Sequence, residues 1–248
     1  MMKDTYKIGG KVIEIESIYE EVHKLCKDYR YCVDIDFLVK TSQSDIDFER
    51  EKSISEDKKE GIPVRIFRDS YLETLAVYRQ IAEHMIEFNT ILFHGSAVAV
   101  DGAGYLFTAK SGMGKSTHTR LWREHFSRCA VMINDDKPLL QMTEHGVLVH
   151  GTPWDGKHHL SSNISVPLKA ICILNRGVEN KICPITKSEA YPMLLQQTHR
   201  PMNAEKMQSV FTLLDKMCKH LKLYRLECNM EHDAVTTAYN GMNTEESK

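Results

Sequence analysis

The chain lacks a long hydrophobic run. Apolar stretches such as Ile91 to Phe93 and Ala97 to Val100 end within a few residues, far short of the roughly 20 that a membrane-spanning helix needs. It also lacks an excess of charge of either sign. With 32 Lys and Arg against 34 Asp and Glu, the formal net charge is −2, so no global field draws it to nucleic acid or to an anionic membrane. There is no C-x-x-C pair among its seven cysteines, at 26, 32, 129, 172, 183, 218 and 228. An odd, scattered set argues against a disulfide framework and leaves reduced thiols in a cytoplasmic protein as the expectation. The start, Met1-Met2-Lys3-Asp4-Thr5, has no apolar leader, so secretion is not expected. Internal repeats, low-complexity tracts and a G-x-S-x-G nucleophile motif are absent as well. What remains is a chain of 248 residues, 42% of them hydrophobic, enough to bury a substantial globular core.

Residues 1–88 read as a small N-terminal α+β region. Tyr6 to Ile15 suggests a strand interrupted by Gly9-Gly10. Ser17 to Tyr29 suggests a helix, with Ser17 as N-cap and Glu20 completing an S-x-x-E box. Val33 to Lys40 alternates like a strand. Glu49 to Glu60 is a charged stretch, read as a solvated hairpin tip or linker. Pro63 to Phe67 resumes as a strand, and Ser70 to Phe88 has helical spacing in Leu72, Leu75, Ala76, Tyr78, Ile81 and Met85.

Residues 89–248 read as an α/β domain. Ile91 to Val100 is β-prone, and Asp101-Gly102 after it is a strong hairpin signal. Tyr105 to Thr108 then returns antiparallel into a glycine loop. Helix is expected from Ser116 to Phe126 and strand from Ala130 to Ile133. A hairpin over Pro138 to Met142 and Val147 to His150 follows. A second, over Leu168 to Leu174 and Lys181 to Ile185, turns at Asn175-Arg176-Gly177. Helices at Ser188 to Thr198, Asn203 to Leu221 and Glu231 to Met242 close the chain, with a short strand near Leu223 to Leu226. The antiparallel entry into the loop makes the sheet mixed, unlike the all-parallel doubly wound sheet.

The loop carries the clearest chemistry. G-x-x-x-x-G-K-[ST] maps onto Ala109 to Ser116, with Ala109 in place of the first glycine. In such a P-loop the glycines let successive backbone N–H groups converge on one phosphate. The following helix adds the positive end of its dipole. Ser111, Gly112, Met113, Gly114, Lys115, Ser116 and Thr117 are therefore the expected nucleotide-binding residues. Lys115 reaches the terminal phosphates, and the Ser116 hydroxyl is placed for Mg²⁺.

Asn134-Asp135-Asp136 follows an apolar strand, 20 residues beyond Lys115. One helix and one return strand fill that interval, so both carboxylates are expected beside the loop. One can hold the metal while the other accepts a proton from an attacking hydroxyl. His94 lies on the preceding strand and is expected to border the site, touching Asp135.

His94-Gly95, then Ser111 to Ser116, then Asp135-Asp136 at this spacing resemble the catalytic domain of HPr kinase/phosphorylase, whose fold is shared with phosphoenolpyruvate carboxykinase. The resemblance spans roughly residues 91 to 176. It implies a mixed-sheet P-loop kinase domain using ATP or another nucleotide with Mg²⁺. It implies Lys115 on the phosphates, Ser116 and Asp136 around the metal, Asp135 as general base and His94 adjusting it. The chain departs from the family at Thr117, where glutamate is usual, and no glutamate–arginine–glycine signature follows the aspartates. Trp154 to His159 stands there instead and is the candidate substrate loop, with Asp155 a further metal or substrate contact. Arg200 is a second candidate for phosphoryl charge. The expected activity is phosphoryl transfer to a hydroxyl of a serine-type or small-molecule acceptor. A nucleotide-binding regulatory module and a carboxykinase-like lyase are the alternatives. Nucleic acid and membrane are not expected partners.

Overall fold

A computed structural model describes residues 1–244. Contacts divide the chain into two compact units, Met1–Met85 and a second beginning at Ile86. Among the described residues no helix is long and apolar enough to cross a membrane.

In the first unit, β1 (Met2–Ile8) and β2 (Lys11–Ser17) form an antiparallel hairpin, and β3 (Phe37–Lys40) lies parallel to β2. Gly9 and Gly10 are not an interruption of one strand but its turn, at φ +60° and +80°, values that cost glycine little. Tyr6, Ile8, Ile13, Ile15 and Val39 from the strands are buried, as are Leu72, Ala76, Val77 and Ile81 from α3 (Asp69–Met85). The α3 carboxylate of Glu73 is buried too. It accepts from the backbone N–H of Ile18 and Tyr19 at 2.7 and 2.8 Å, and from the Thr41 hydroxyl at 2.6 Å.

Three local expectations fail here for identifiable reasons. Ser17 ends β2, and its hydroxyl binds the Tyr19 carbonyl and His23 instead of capping a helix; α1 spans only Glu21–Leu25. The charged stretch is helix: α2 covers Gln43–Glu60, opened by a capping box between Ser42 and Asp45 and closed by Gly61 at φ +68°. Its inner face buries a single apolar side chain, Ile46, beside the carboxylates of Glu49 and Asp57, and Arg79 of α3 reaches Glu49 at 2.6 Å and Asp45 at 3.3 Å. No apolar period was there to read. Pro63 to Phe67 joins no strand; Arg65 is pinned instead to the buried Asp57 carboxylate through its backbone N–H at 2.8 Å and its guanidinium at 2.6 Å.

The second unit is a nine-stranded mixed sheet with helices on both faces. Its strands are β4 (Thr90–Leu92), β5 (Ser96–Val100), β6 (Ala103–Thr108), β7 (Ala130–Asn134), β8 (Leu139–Thr143), β9 (Gly146–His150), β10 (Ser165–Arg176), β11 (Lys181–Pro184) and β12 (Lys222–Cys228). The path runs β4-β8-β9-β10-β6-β5-β7, with β12 between β10 and β11. Residues alternate faces along the central strands. Ala97, Ala99, Leu106, Ile171 and Ile173 face a core shared with α5 (Lys187–Gln197) and α6 (Ala204–His220). Val98, Val100, Tyr105, Phe107 and Cys172 face a second core shared with α4 (Lys115–Phe126) and α7 (Asp233–Asn243). Both faces are covered, so these strands read as continuous apolar runs.

Two sequence readings change in this unit. Ile91 to Val100 is not one strand: the chain leaves the sheet at Phe93-His94-Gly95 and re-enters elsewhere. Five inter-strand steps separate β4 from β5 along the path, about 24 Å in a flat sheet, yet Leu92 and Ser96 are four residues apart and span at most about 14 Å. The sheet must curl so that its ends approach. Nor do β10 and β11 form a hairpin. β12 inserts between them, parallel to β10 and antiparallel to β11, a long-range pairing that local turn residues cannot announce.

Candidate functional site

β5 is antiparallel to both β6 and β7, pairing Ser96 with Phe107 and Ala97 with Asn134. The start of β5 and the ends of β6 and β7 therefore open at one edge of the sheet. His94-Gly95, the glycine loop and Asp135-Asp136 are the segments that emerge there.

The loop runs from Ala109 to α4. Gly112 and Gly114 sit at φ +74° and +100°, with no atom within 4 Å of where a Cβ would be. Backbone conformation, not crowding, demands glycine at both, and open space lies over the loop. Ala109 is buried in the α4 core and keeps an ordinary φ, so the missing first glycine costs the turn nothing. Lys115 folds back so that Nζ donates to the Ala109 carbonyl at 3.3 Å. Burial lowers its pKa, and the charges of Asp136 and Asp135 pull the other way. Ser116 and Thr117 are partly exposed on the first turn of α4.

Asn134 builds the aspartate turn. Fully buried, its Oδ1 accepts from the N–H of Asp136 at 2.8 Å and of Lys137 at 2.6 Å, while its amide donates to Thr152 O at 2.9 Å. Asp135 is buried, and Oδ1 accepts from Ser96 Oγ at 2.7 Å; Ser96 Oγ in turn contacts Thr119 Oγ1 at 2.8 Å. This hydroxyl chain joins α4, β5 and β7. Asp136 is more open and lies 3.3 Å from His94 Nε2. Burial pushes its pKa up, but the His94 hydrogen bond and the charges of Lys137, His94 and Lys115 outweigh it and hold the carboxyl below its usual value. His94 is itself fixed through its backbone, N–H to Gln197 O at 2.7 Å and carbonyl from Thr108 Oγ1 at 3.1 Å.

Beyond β7 the chain returns along that strand: Asp135 N donates to Leu160 O and Ser162 N to Ile133 O, both at 3.1 Å. The loop leading there presses on the site, since a Cβ on Gly156 would lie 3.0 Å from Asp136 Cβ. Asp155 is buried, accepting from Ser161 Oγ at 2.9 Å with His159 Nδ1 at 3.4 Å; burial raises its pKa against both contacts. On the loop side, Arg176 Nη2 donates to Gly112 O at 2.7 Å.

The family model described as SynChlorMet cassette protein ScmC matches residues 68–232, which include every side chain described in this site. The chain belongs to the ScmC family. A search of curated proteins finds no match for this ScmC-family chain. Among solved structures it is similar to the Hpr(Ser) kinase/phosphatase from Coxiella burnetii, at 10% identity and a TM-score of 0.33, over 60% of this chain and 94% of that one.

In the ScmC-family chain, Lys115, Ser116, Asp135, Asp136 and His94 come to one sheet edge. One expected contact differs: His94 meets Asp136, not Asp135. The imidazole pairs with Asp136, while Oδ1 of Asp135 accepts from Ser96. Arg200 is exposed just beyond Thr198, which bridges to Phe93. Ser96, Thr119, Asn134 and Arg176 were not assigned roles from sequence. The signal for Ser96 is its place beside His94-Gly95; for Arg176 there is none, because its partner is a backbone carbonyl 64 residues away.

Proposed function

We propose that this ScmC-family protein is a nucleotide-dependent kinase that transfers a phosphoryl group to a hydroxyl of a serine-type or small-molecule acceptor. The observation that carries this reading is the shared edge at which the glycine loop, with Lys115 and Ser116, faces Asp135 and Asp136. The residues fit a nucleotide phosphate: two positive-φ glycines leave uncrowded backbone at a helix N-terminus, and Lys115 is held there by a single 3.3 Å bond to the loop's own carbonyl. They also fit Mg²⁺ at Ser116 and Asp136. Among the described residues no cluster of three or more His, Cys, Asp or Glu could hold a metal, and Mg²⁺ takes only one or two protein carboxylates beside phosphate oxygens and water. When bound, Mg²⁺ neutralises phosphate charge as it develops.

The protein's own groups divide the work. Asp136, held below its usual pKa, stays ionised across the working range, as a metal ligand must. Asp135, oriented by Ser96, accepts the proton of the acceptor hydroxyl. His94 acts on Asp136 rather than on the base. The Trp154 to His159 loop, pressed against Asp136 through Gly156, is the acceptor's approach. Lys115 places one charge on the transferred group, and its loss costs about 3–4 kcal/mol, two to three orders of magnitude in rate. Incubation with labelled ATP and a panel of hydroxyl metabolites and serine peptides tests the reading. Transfer by the wild type that Lys115→Ala abolishes supports it. Nucleotide binding without transfer to any acceptor, unchanged by Asp135→Asn, would replace it with a regulatory module.

A further inference from the structure

Arg176 is the last residue of β10. That strand runs parallel to β6 and so ends at the same edge as the glycine loop. Its backbone is anchored, since Arg176 pairs with Cys228 of β12 and Gly177 N donates to Cys228 O at 3.0 Å. The side chain is exposed, yet its Nη2 meets the Gly112 carbonyl at 2.7 Å, the short distance of a charge-assisted bond.

The consequence follows from peptide planarity. In a trans peptide the carbonyl and the next N–H point in opposite directions. Met113 N–H turns into the loop, facing the Lys110 carbonyl at a long 3.3 Å, so the Gly112 carbonyl must turn outward, and the guanidinium is what receives it. A cation on the carbonyl end fixes the peptide plane and polarises the N–H at the other end. We propose that Arg176 is a positioning residue for the loop: through the Gly112 carbonyl it fixes the Gly112–Met113 peptide plane, which keeps the loop in the turn that closes on the Lys110 carbonyl and so preforms the cradle a phosphate enters. The role rests on the nucleotide reading above; the tether itself does not.

The test uses the full chain as wild type, Arg176→Ala and Arg176→Lys. Without nucleotide, hydrogen exchange at the amides of residues 112–114 should quicken severalfold in Arg176→Ala and stay near wild type in Arg176→Lys, which restores a charged donor. By calorimetry the Kd for Mg–ATP should rise roughly fivefold in Arg176→Ala, the equivalent of one exposed charge-assisted hydrogen bond, and recover in part with lysine. Unchanged loop exchange in Arg176→Ala overturns the tether. Faster exchange with an unchanged Kd overturns the positioning role. A wild-type chain that fails to bind Mg–ATP overturns the nucleotide reading, while the exchange data still decide the tether.

Discussion

Replacing Gly151 by alanine puts a methyl group where there is no room for one. Its Cβ would lie 1.9 Å from the Ser162 carbonyl oxygen and 2.6 Å from that of Ile133. Both are backbone atoms, so no side chain can swing aside. Relief requires the 160–164 segment to move off β7, which breaks Ser162 N to Ile133 O and Gly151 N to Ile164 O, at 3.1 and 3.0 Å. Overpacking of this kind costs about 1–3 kcal/mol, and two backbone hydrogen bonds add about 1 kcal/mol each. The expected loss is therefore about 3–5 kcal/mol, a large share of the roughly 5–15 kcal/mol that holds a domain folded. Urea unfolding followed by far-UV circular dichroism measures it. Gly102→Ala is the control: its turn has φ +80° but nothing within 4 Å, so only the left-handed backbone penalty of about 1–2 kcal/mol applies. If Gly151→Ala unfolds within 1 kcal/mol of the wild type, the close approach that locks the aspartate turn is not as described.

Three further outcomes are expected. Asp135→Asn should bind Mg–nucleotide normally but transfer slowly, whereas Asp136→Asn should shift the Mg²⁺ dependence to higher concentration; identical behaviour in metal titration and single-turnover assays would refute the division of roles. His94→Ala should raise the carboxyl pKa of Asp136, read by carbon-detected NMR titration. Because a depressed carboxylate contributes stability above its unfolded pKa that fades as pH falls through the folded value, the variant's stability deficit should shrink in acid; a deficit constant with pH would make His94 a packing residue only. His118 and His150 are both buried with pKa values lowered to about 4. Each resists protonation in the fold but not when unfolded, so stability should fall as pH drops from about 6.5 toward 4, by up to about 1.4 kcal/mol per pH unit for each ring, and His118→Gln should remove one ring's share of that slope.

The central strands and the loop were legible because their signals are local. Asp101-Gly102 announced the β5–β6 turn, both residues adopting positive φ, and the strand–loop–helix order of 103–126 followed from apolar runs and glycines. The α2 helix was hidden because its buried face sets Glu49 and Asp57 beside the lone apolar Ile46, with Arg79 pairing Glu49, in place of an apolar stripe. The insertion of β12 beside β10 was hidden because nothing near Asn175 records a strand that arrives 47 residues later. That residues 94, 115, 116, 135 and 136 come to one end of the sheet could be read from spacing, but which aspartate faces the histidine could not. That depends on where the chain leaves β4, which is set by pairing with β8 rather than by any residue near His94.

The curl of the sheet also dictates when the site can exist. Among the described residues β4 pairs only with β8, and β5 only with β6 and β7, so residues 93–95 bridge one end of the sheet to the strand next to its other end. Until strands far apart in sequence have paired, His94 has no fixed position beside Asp136. Such non-local closure is slow in folding, and it needs the β5–β7 pairing that ends beside Asp136 together with the path from β4 to β5. Formation of the His94–Asp136 contact during refolding therefore reports closure of the sheet between β4 and β5, and any ligand bound at this edge would select closed chains over partly folded ones.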